Sequence, residues 1–135
     1  MAETVVGAAL IESGRVLLGL RAAHKSFAGC WDLIGGHVES GEAQWTALCR
    51  ELTEEVGIQA LEGNFLKTLT LAVAGRQAAT LHVYSVTRWR GEPAIANNEH
   101  TAIRWFGLEE AERLSNLAAS QYRDLFASLR KPGSS

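Results

Sequence analysis

Apolar positions along this chain switch between two spacings. "TVVGAALIE" (4–12) and "RVLLGLR" (15–21) are β-rich apolar runs joined by "SG", which predicts a hairpin. A loop, "AAHKSFAGC", leads to the short run "WDLIGG". From about Glu42 to Val56 the spacing becomes helical, and it stops at Gly57, a natural glycine just past a helix end. "FLKTLTLAV" and "ATLHVYSVTRW" predict two further strands, paired as a second hairpin across "AGRQ". After the polar loop "GEPAIANNEH" comes the short strand "AIRWF", and "GLEEAERLSNLAASQYRDLFASLR" predicts two helical pieces. Strands with one central and one or two terminal helices predict an α/β fold whose mixed sheet is covered on both faces.

The central helix carries an anomaly. Projected at about 100° per residue, Leu48, Leu52, Trp45, Val56 and Cys49 share one stripe, as docking on a core requires. Glu51, Glu54 and Glu55 fall on the adjacent flank, in the last turns. There the macrodipole disfavours negative charge, and acids three and four residues apart repel. Exposed glutamates are ordinary helix formers, so a lone pair would mean nothing. This cluster has no interleaved lysine, and a divalent cation would offset its repulsion. Hard carboxylate oxygens select magnesium, manganese or calcium. Arg50, four residues before Glu54, reads equally as a surface ion pair or as a guanidinium that orients the acids. Upstream, "GGHVESGE" supplies glycines that let backbone approach an ion or a phosphate.

Together these residues form one pattern. It runs from Gly36 through Glu42 to Arg50, Glu51 and Leu52, then Glu54, Glu55, Gly57 and Ile58. This resembles the Nudix box of the Nudix hydrolases, with every specified position of the 23-residue pattern filled. The flanking elements are similar to that family's α/β/α sandwich. The resemblance implies a loop–helix–loop that binds magnesium or manganese and hydrolyses a diphosphate linked to another moiety. It implies Glu51, Glu54, Glu55 and the Gly36 carbonyl as metal ligands, and a catalytic set of Glu51, Glu54 and Arg50. In that set Glu51 activates the attacking water and Arg50 orients it, while Glu42 supports the metal shell. Ile34 stands where the family often has proline. Glu99 is the expected further ligand or base from the polar loop, and Arg21 resembles an arginine near the substrate phosphates in MutT-like members. His37 and His100 are expected at the surface or in loops. Phe27, Trp31, Tyr84, Trp89 and Trp105 are the candidate rings for stacking on a base, but such rings at strand positions are usually core.

Composition narrows the choice. The chain has 135 residues, 47% hydrophobic and 21% charged, which predicts one domain over 1–130 and a disordered-looking tail, "KPGSS" (131–135). A net charge of −2 argues against a nucleic-acid partner. Cys30 and Cys49 have no metal-ligand spacing and are expected as reduced, packed thiols. The N-terminus shows neither a signal peptide nor a membrane anchor, so the expected address is cytoplasmic. The only prolines, Pro93 and Pro132, leave out the proline marks of ADP-ribose and NADH hydrolases in the family. The compact length looks MutT-like, and the expected substrate is a small nucleotide, a nucleoside triphosphate cleaved to monophosphate and pyrophosphate. The alternatives are a non-catalytic nucleotide sensor and a hydrolase of nucleotide sugars or RNA 5′ ends. The pattern admits a homodimer without demanding one.

Overall fold

A computed structural model describes residues 3–71 and 78–130. Within them the order is β1 (Glu3–Glu12), β2 (Arg15–Arg21), β3 (Trp31–Asp32), β4 (Ile34–His37), α1 (Gln44–Val56), β5 (Gln59–Leu71), β6 (Ala79–Arg90), β7 (His100–Gly107), α2 (Leu108–Glu112) and α3 (Tyr122–Arg130). The predicted "AGRQ" turn and the "KPGSS" tail lie outside the described residues.

The sheet is organised by β1. It runs parallel to β6, from Glu3 opposite Ala79 to Leu10 opposite Val86. On its other edge it pairs antiparallel with β4 at Val5–Ala8, and then with β2 at Ile11 and Glu12 alone. The predicted first hairpin is thus real but short. Beyond it β2 leaves β1 and takes β7 and β3 as neighbours, while β5 closes the far edge against β6. One edge of β1 therefore serves two partners in turn, so the sheet parts between them.

Alternation along the strands feeds two cores. Val6, Ala8, Leu10, Leu17 and Ile34 pack on Ala47, Leu48, Leu52 and Val56 of α1. On the opposite face, Ala9, Val16, Leu18, Trp31 and Phe106 pack on Ala111, Tyr122, Leu125 and Phe126 of the terminal helices. The result is an α/β/α sandwich with a mixed central sheet, as the pattern of elements implied. Among the described residues no helix is long and apolar enough to cross a membrane. Both cysteines are unpaired and partly buried.

Some expectations shift. β5 begins at Gln59, six residues before the predicted run, because bulges around Ala60–Gly63 and Phe65–Lys67 break its period of two. α1 begins at Gln44, and Glu42 sits in the turn before it, where its carboxylate accepts the Glu39 N–H at 3.0 Å. Gly57 ends the helix in the left-handed region at φ 68°, as predicted. Trp45 and Cys49 are only partly buried, whereas Ala47 is fully so. Glu55 is the main departure. It is 3% exposed, not on the solvent flank. Seven residues past Leu48, it lies only about 20° from that leucine around the helix, so it points inward with the docking stripe.

The α1 dock should dominate stability. Leu52→Ala is expected to lower the unfolding free energy by about 3 kcal/mol in urea denaturation. Ile95→Ala, at an exposed loop position, should stay within about 0.5 kcal/mol.

Candidate active site

The loop after β4 and the exposed side of α1 are joined by one guanidinium. Arg50 donates Nε and Nη2 to the two Glu42 oxygens, each at 2.9 Å, and Nη2 also to the His37 carbonyl at 3.0 Å. Its Nη1 reaches Glu51 at 3.0 Å and Glu54 at 3.4 Å. The i, i+4 partner visible in the sequence is therefore the weakest of the set. The fork-on-fork pair with Glu42, eight residues upstream, is the main one. Arg50 holds the Glu42 carboxyl down at about 2, helped by the Glu39 N–H, and Glu42 in turn pushes the guanidinium further up. The Glu51 carboxylate seats directly on Gly36. A side chain there would put its Cβ 2.4 Å from the carboxyl carbon, so only glycine admits this contact.

Inside the helix lies a second acid site. Burial pushes Glu55 up to about 9, reinforced by a hydrogen bond with Glu51 and by the charges of Glu51, Glu99 and Asp32. Its Oε1 lies 3.3 Å from Nδ1 of His100. His100 corrects the sequence expectation of a surface or loop residue: it opens β7 and is 8% exposed. Its ring covers Gly19, where any Cβ would collide with it at 2.5 Å. Burial pushes the imidazole down, against the raising effect of Asp32 and Glu99. Near neutral pH both groups are uncharged, and the contact is a neutral one, not an ion pair. His37, by contrast, is exposed beside Glu3, as expected.

Glu99 and Arg21, the two candidates outside the box, are both engaged elsewhere. The Glu99 carboxylate accepts Lys25 Nζ at 3.0 Å, and its backbone carbonyl accepts the Ala22 N–H at 3.1 Å. Arg21 turns Nη1 to Asp32 at 2.8 Å and Nε to the Ser26 carbonyl. Asp32 also accepts the Tyr122 hydroxyl at 2.6 Å and the Leu33 N–H at 2.8 Å. Burial and Asp32 raise the Tyr122 hydroxyl well above its ordinary range, which keeps it a donor. Asp32, Lys25 and Tyr122 were not picked out from the sequence, and His100 was assigned to the surface or a loop. An acid inside the apolar run "WDLIGG" was the one signal available for Asp32, and chain order alone gives none for the others.

A cavity of about 710 Å³ opens where the sheet parts, lined by Gly36, Glu55, Glu99, Arg21, Asp32 and Lys25 among others. Its size suits a nucleotide. Of the candidate rings, Phe27 lines it and is 46% exposed. Trp31 packs edge-on against Phe106, Tyr84 sits between Trp45 and Phe65, and Trp89 stacks on Trp105. A separate depression of about 570 Å³ near Glu12, Arg88 and Glu92 shares no residue with the box.

The donor set fits a hard divalent cation. Glu51, Glu54, Glu55 and Glu99 offer carboxylate oxygens, and the missing side chain of Gly36 leaves its backbone open beside Glu51. Burial is the main cause of the raised Glu55, and the neighbouring acids Glu51, Glu99 and Asp32 add to it. Among the described residues, no three such side chains already converge as a ready cage. Arg50 engages Glu51 and Glu54, and Lys25 engages Glu99.

The class of protein met here is that of a pyrophosphohydrolase. The chain belongs to the NUDIX domain family, whose model matches residues 1–129. It is 39% identical to the CTP pyrophosphohydrolase of Escherichia coli over 107 residues, 79% of this chain and 77% of that protein. It is 34% identical to the 8-oxo-dGTP diphosphatase of Escherichia coli over 91 residues, 67% of this chain and 70% of that protein. The crystal structure of a MutT NUDIX hydrolase from Burkholderia pseudomallei superposes with a TM-score of 0.84 at 30% identity, covering 94% of this chain and 97% of that one. Nudix hydrolases generally require a divalent metal.

Two outcomes follow from the charges. Glu42→Gln should leave the fold intact but loosen Arg50, lowering kcat/KM by about ten- to a hundredfold in a steady-state assay. Glu55 has a folded-state pKa near 9 against an ordinary 4.5, so the folded protein holds a proton there that the unfolded chain releases. Stability from this group is full below pH 4.5 and is lost as pH rises toward 9. In EDTA, the Tm of wild type should fall over that window, and Glu55→Gln should flatten the fall.

Proposed function

We propose that this protein is a metal-dependent hydrolase that cleaves a nucleoside triphosphate to the monophosphate and pyrophosphate. The observation that carries this reading is the meeting of the acidic side of α1, through Gly36 and Glu55, with a nucleotide-sized cavity. The cation is magnesium or manganese, held by Glu51, Glu54, Glu55, the Gly36 carbonyl and Glu99. When bound, it neutralises phosphoryl oxygens and lowers the pKa of water.

The chain's own groups supply positioning. Glu51 is the proposed acceptor of the proton from the attacking water, with its orientation set by Arg50. The water oxygen bonds to phosphorus as the bridging P–O bond breaks, and pyrophosphate leaves. Arg50 is itself fixed by Glu42 and the His37 carbonyl, so this geometry needs no rearrangement of the loop. Glu54, more exposed than Glu51, belongs to the metal shell. The names of the relatives bring CTP and 8-oxo-dGTP to the head of the substrate panel. A cytoplasmic setting belongs to the same proposal, since the substrates are intracellular nucleotides.

The test is pyrophosphate and phosphate release from nucleoside triphosphates, nucleotide sugars, a dinucleoside tetraphosphate and triphosphorylated RNA, with each metal. Wild type is expected to release pyrophosphate from one or a few nucleoside triphosphates. Glu54→Gln and Glu51→Gln should lose about 10²-fold or more in kcat with unfolding curves unchanged. Turnover confined to the other substrates would overturn the triphosphate reading, and binding without turnover would favour a sensor.

A further inference from the structure

Among the described residues, Arg21 and Lys25 are the arginine and lysine that line the cavity, and they are held very differently. Arg21 is paired with an Asp32 whose side chain is 15% exposed and which also takes the Tyr122 hydroxyl and the Leu33 N–H. Pulling Arg21 away would strand a largely buried carboxylate, a costly step. Among the described residues the Lys25 ammonium has a single partner, Glu99, in a pair with side-chain exposures of 30% and 36%. Pairs this exposed are worth at most about 1 kcal/mol, so a polyphosphate entering the cavity can take the ammonium with little loss. A polyphosphate also brings several negative charges where Glu99 brings one.

Glu99 is placed to respond. Its carbonyl is tied to the Ala22 N–H, and its own N–H donates to the Asn97 side chain at 3.1 Å. The same loop is bonded to the end of α1, with Ala96 N–H on the Glu55 carbonyl and Ala94 N–H on that of Val56. Loss of Lys25 as a partner therefore moves a side chain and leaves the loop in place. That side chain lines the same cavity as Glu55 and Gly36. The Lys25 ammonium gives the Glu99 carboxylate a charge partner that the protonated Glu55 does not, so without a cation Glu99 rests on Lys25.

We propose that Lys25 is a phosphate-binding residue that exchanges its Glu99 partner for the polyphosphate of the substrate, so that substrate arrival frees the Glu99 carboxylate for the acid cluster of α1. This deepens the nucleoside triphosphate reading and rests on it. It adds a residue from the segment between β2 and β3, and an order of events in which phosphate capture precedes recruitment of Glu99. Lys25 acts on binding, Glu99 on the chemical step.

The exchange predicts opposite signs for its two members. Inorganic tripolyphosphate would be titrated calorimetrically into the full chain in EDTA at low salt, for wild type, Lys25→Met, Lys25→Arg, Glu99→Gln and the Lys25→Met/Glu99→Gln double variant. Circular dichroism and Tm would verify that each is folded. Lys25→Met should weaken binding about tenfold, the worth of one charge-assisted hydrogen bond, and Lys25→Arg should retain most of it. Glu99→Gln should tighten binding about fivefold by relieving Lys25 of its competitor, and this gain should vanish in the double variant. No measurable binding by wild type, no tightening in Glu99→Gln, or an equal tightening without Lys25 would each overturn the proposal. In turnover, Lys25→Met should raise KM with kcat within about twofold, and a fall in kcat at unchanged KM would count against it. The binding arm needs no hydrolysis. The tripolyphosphate pattern without nucleoside triphosphate turnover would thus sink the substrate reading alone, and turnover without the pattern would sink the exchange alone.

Discussion

The guanidinium of Arg50 is the interaction on which the site depends. Three carboxylates, Glu42, Glu51 and Glu54, and the carbonyl of His37 all meet it. Removing that one positive charge would leave three acids facing each other without a counter-charge. Its planar fork matches the two Glu42 oxygens, so it fixes a direction as well as a charge. Because Glu42 lies in the turn before α1 and His37 in β4, the same group clamps the loop to the helix. Gly36 completes the clamp by letting the Glu51 carboxylate lie on the backbone.

The position of the cavity is a consequence of strand pairing. β1 spends one edge first on β4 and then on β2. Beyond that changeover β2 and β4 diverge, and the cavity opens between Arg21 at the end of β2 and Gly35, Gly36 and His37 of β4, over Val5 and Gly7 of β1. Into it come the end of β2, the β2–β3 segment, the start of β7 and the approach to α3, each through its own charged or polar residue. Such a space between α/β layers is where a substrate of nucleotide size finds convergent polar groups.

Electrostatically the site is held in a poised state. Positive charge is rationed: Arg50 neutralises the outer acids, Arg21 neutralises Asp32, and Lys25 neutralises Glu99. Glu55 has no cationic partner among the described residues, and burial together with three neighbouring acids leaves its carboxyl protonated near neutral pH. At the proposed metal site, a divalent cation held by Glu55 would displace that proton, which would link folding, protonation and metal affinity through one side chain.

Much of this was legible in the chain. The stripe Leu48–Leu52–Val56, the stop at Gly57, the period-two strands and the two terminal helical pieces follow from local spacing and cap chemistry, and each is present. The acids of α1 were visible because they violate a local rule, and the NUDIX model covers the chain as the box implied. The inward turn of Glu55 was available too, in its seven-residue step from Leu48, but its charge argued for solvent. The site roles of individual residues stay proposals, yet their surroundings needed the fold. Glu42 as the chief partner of Arg50, His100 on Glu55, Tyr122 on Asp32 and Lys25 on Glu99 join residues 8, 45, 90 and 74 positions apart. Periodicity and propensity act over a few residues, so the sequence by itself determined the elements, their faces and the class of chemistry. Which charges meet across the parted sheet is set by long-range strand pairing, and only the tertiary structure decided that.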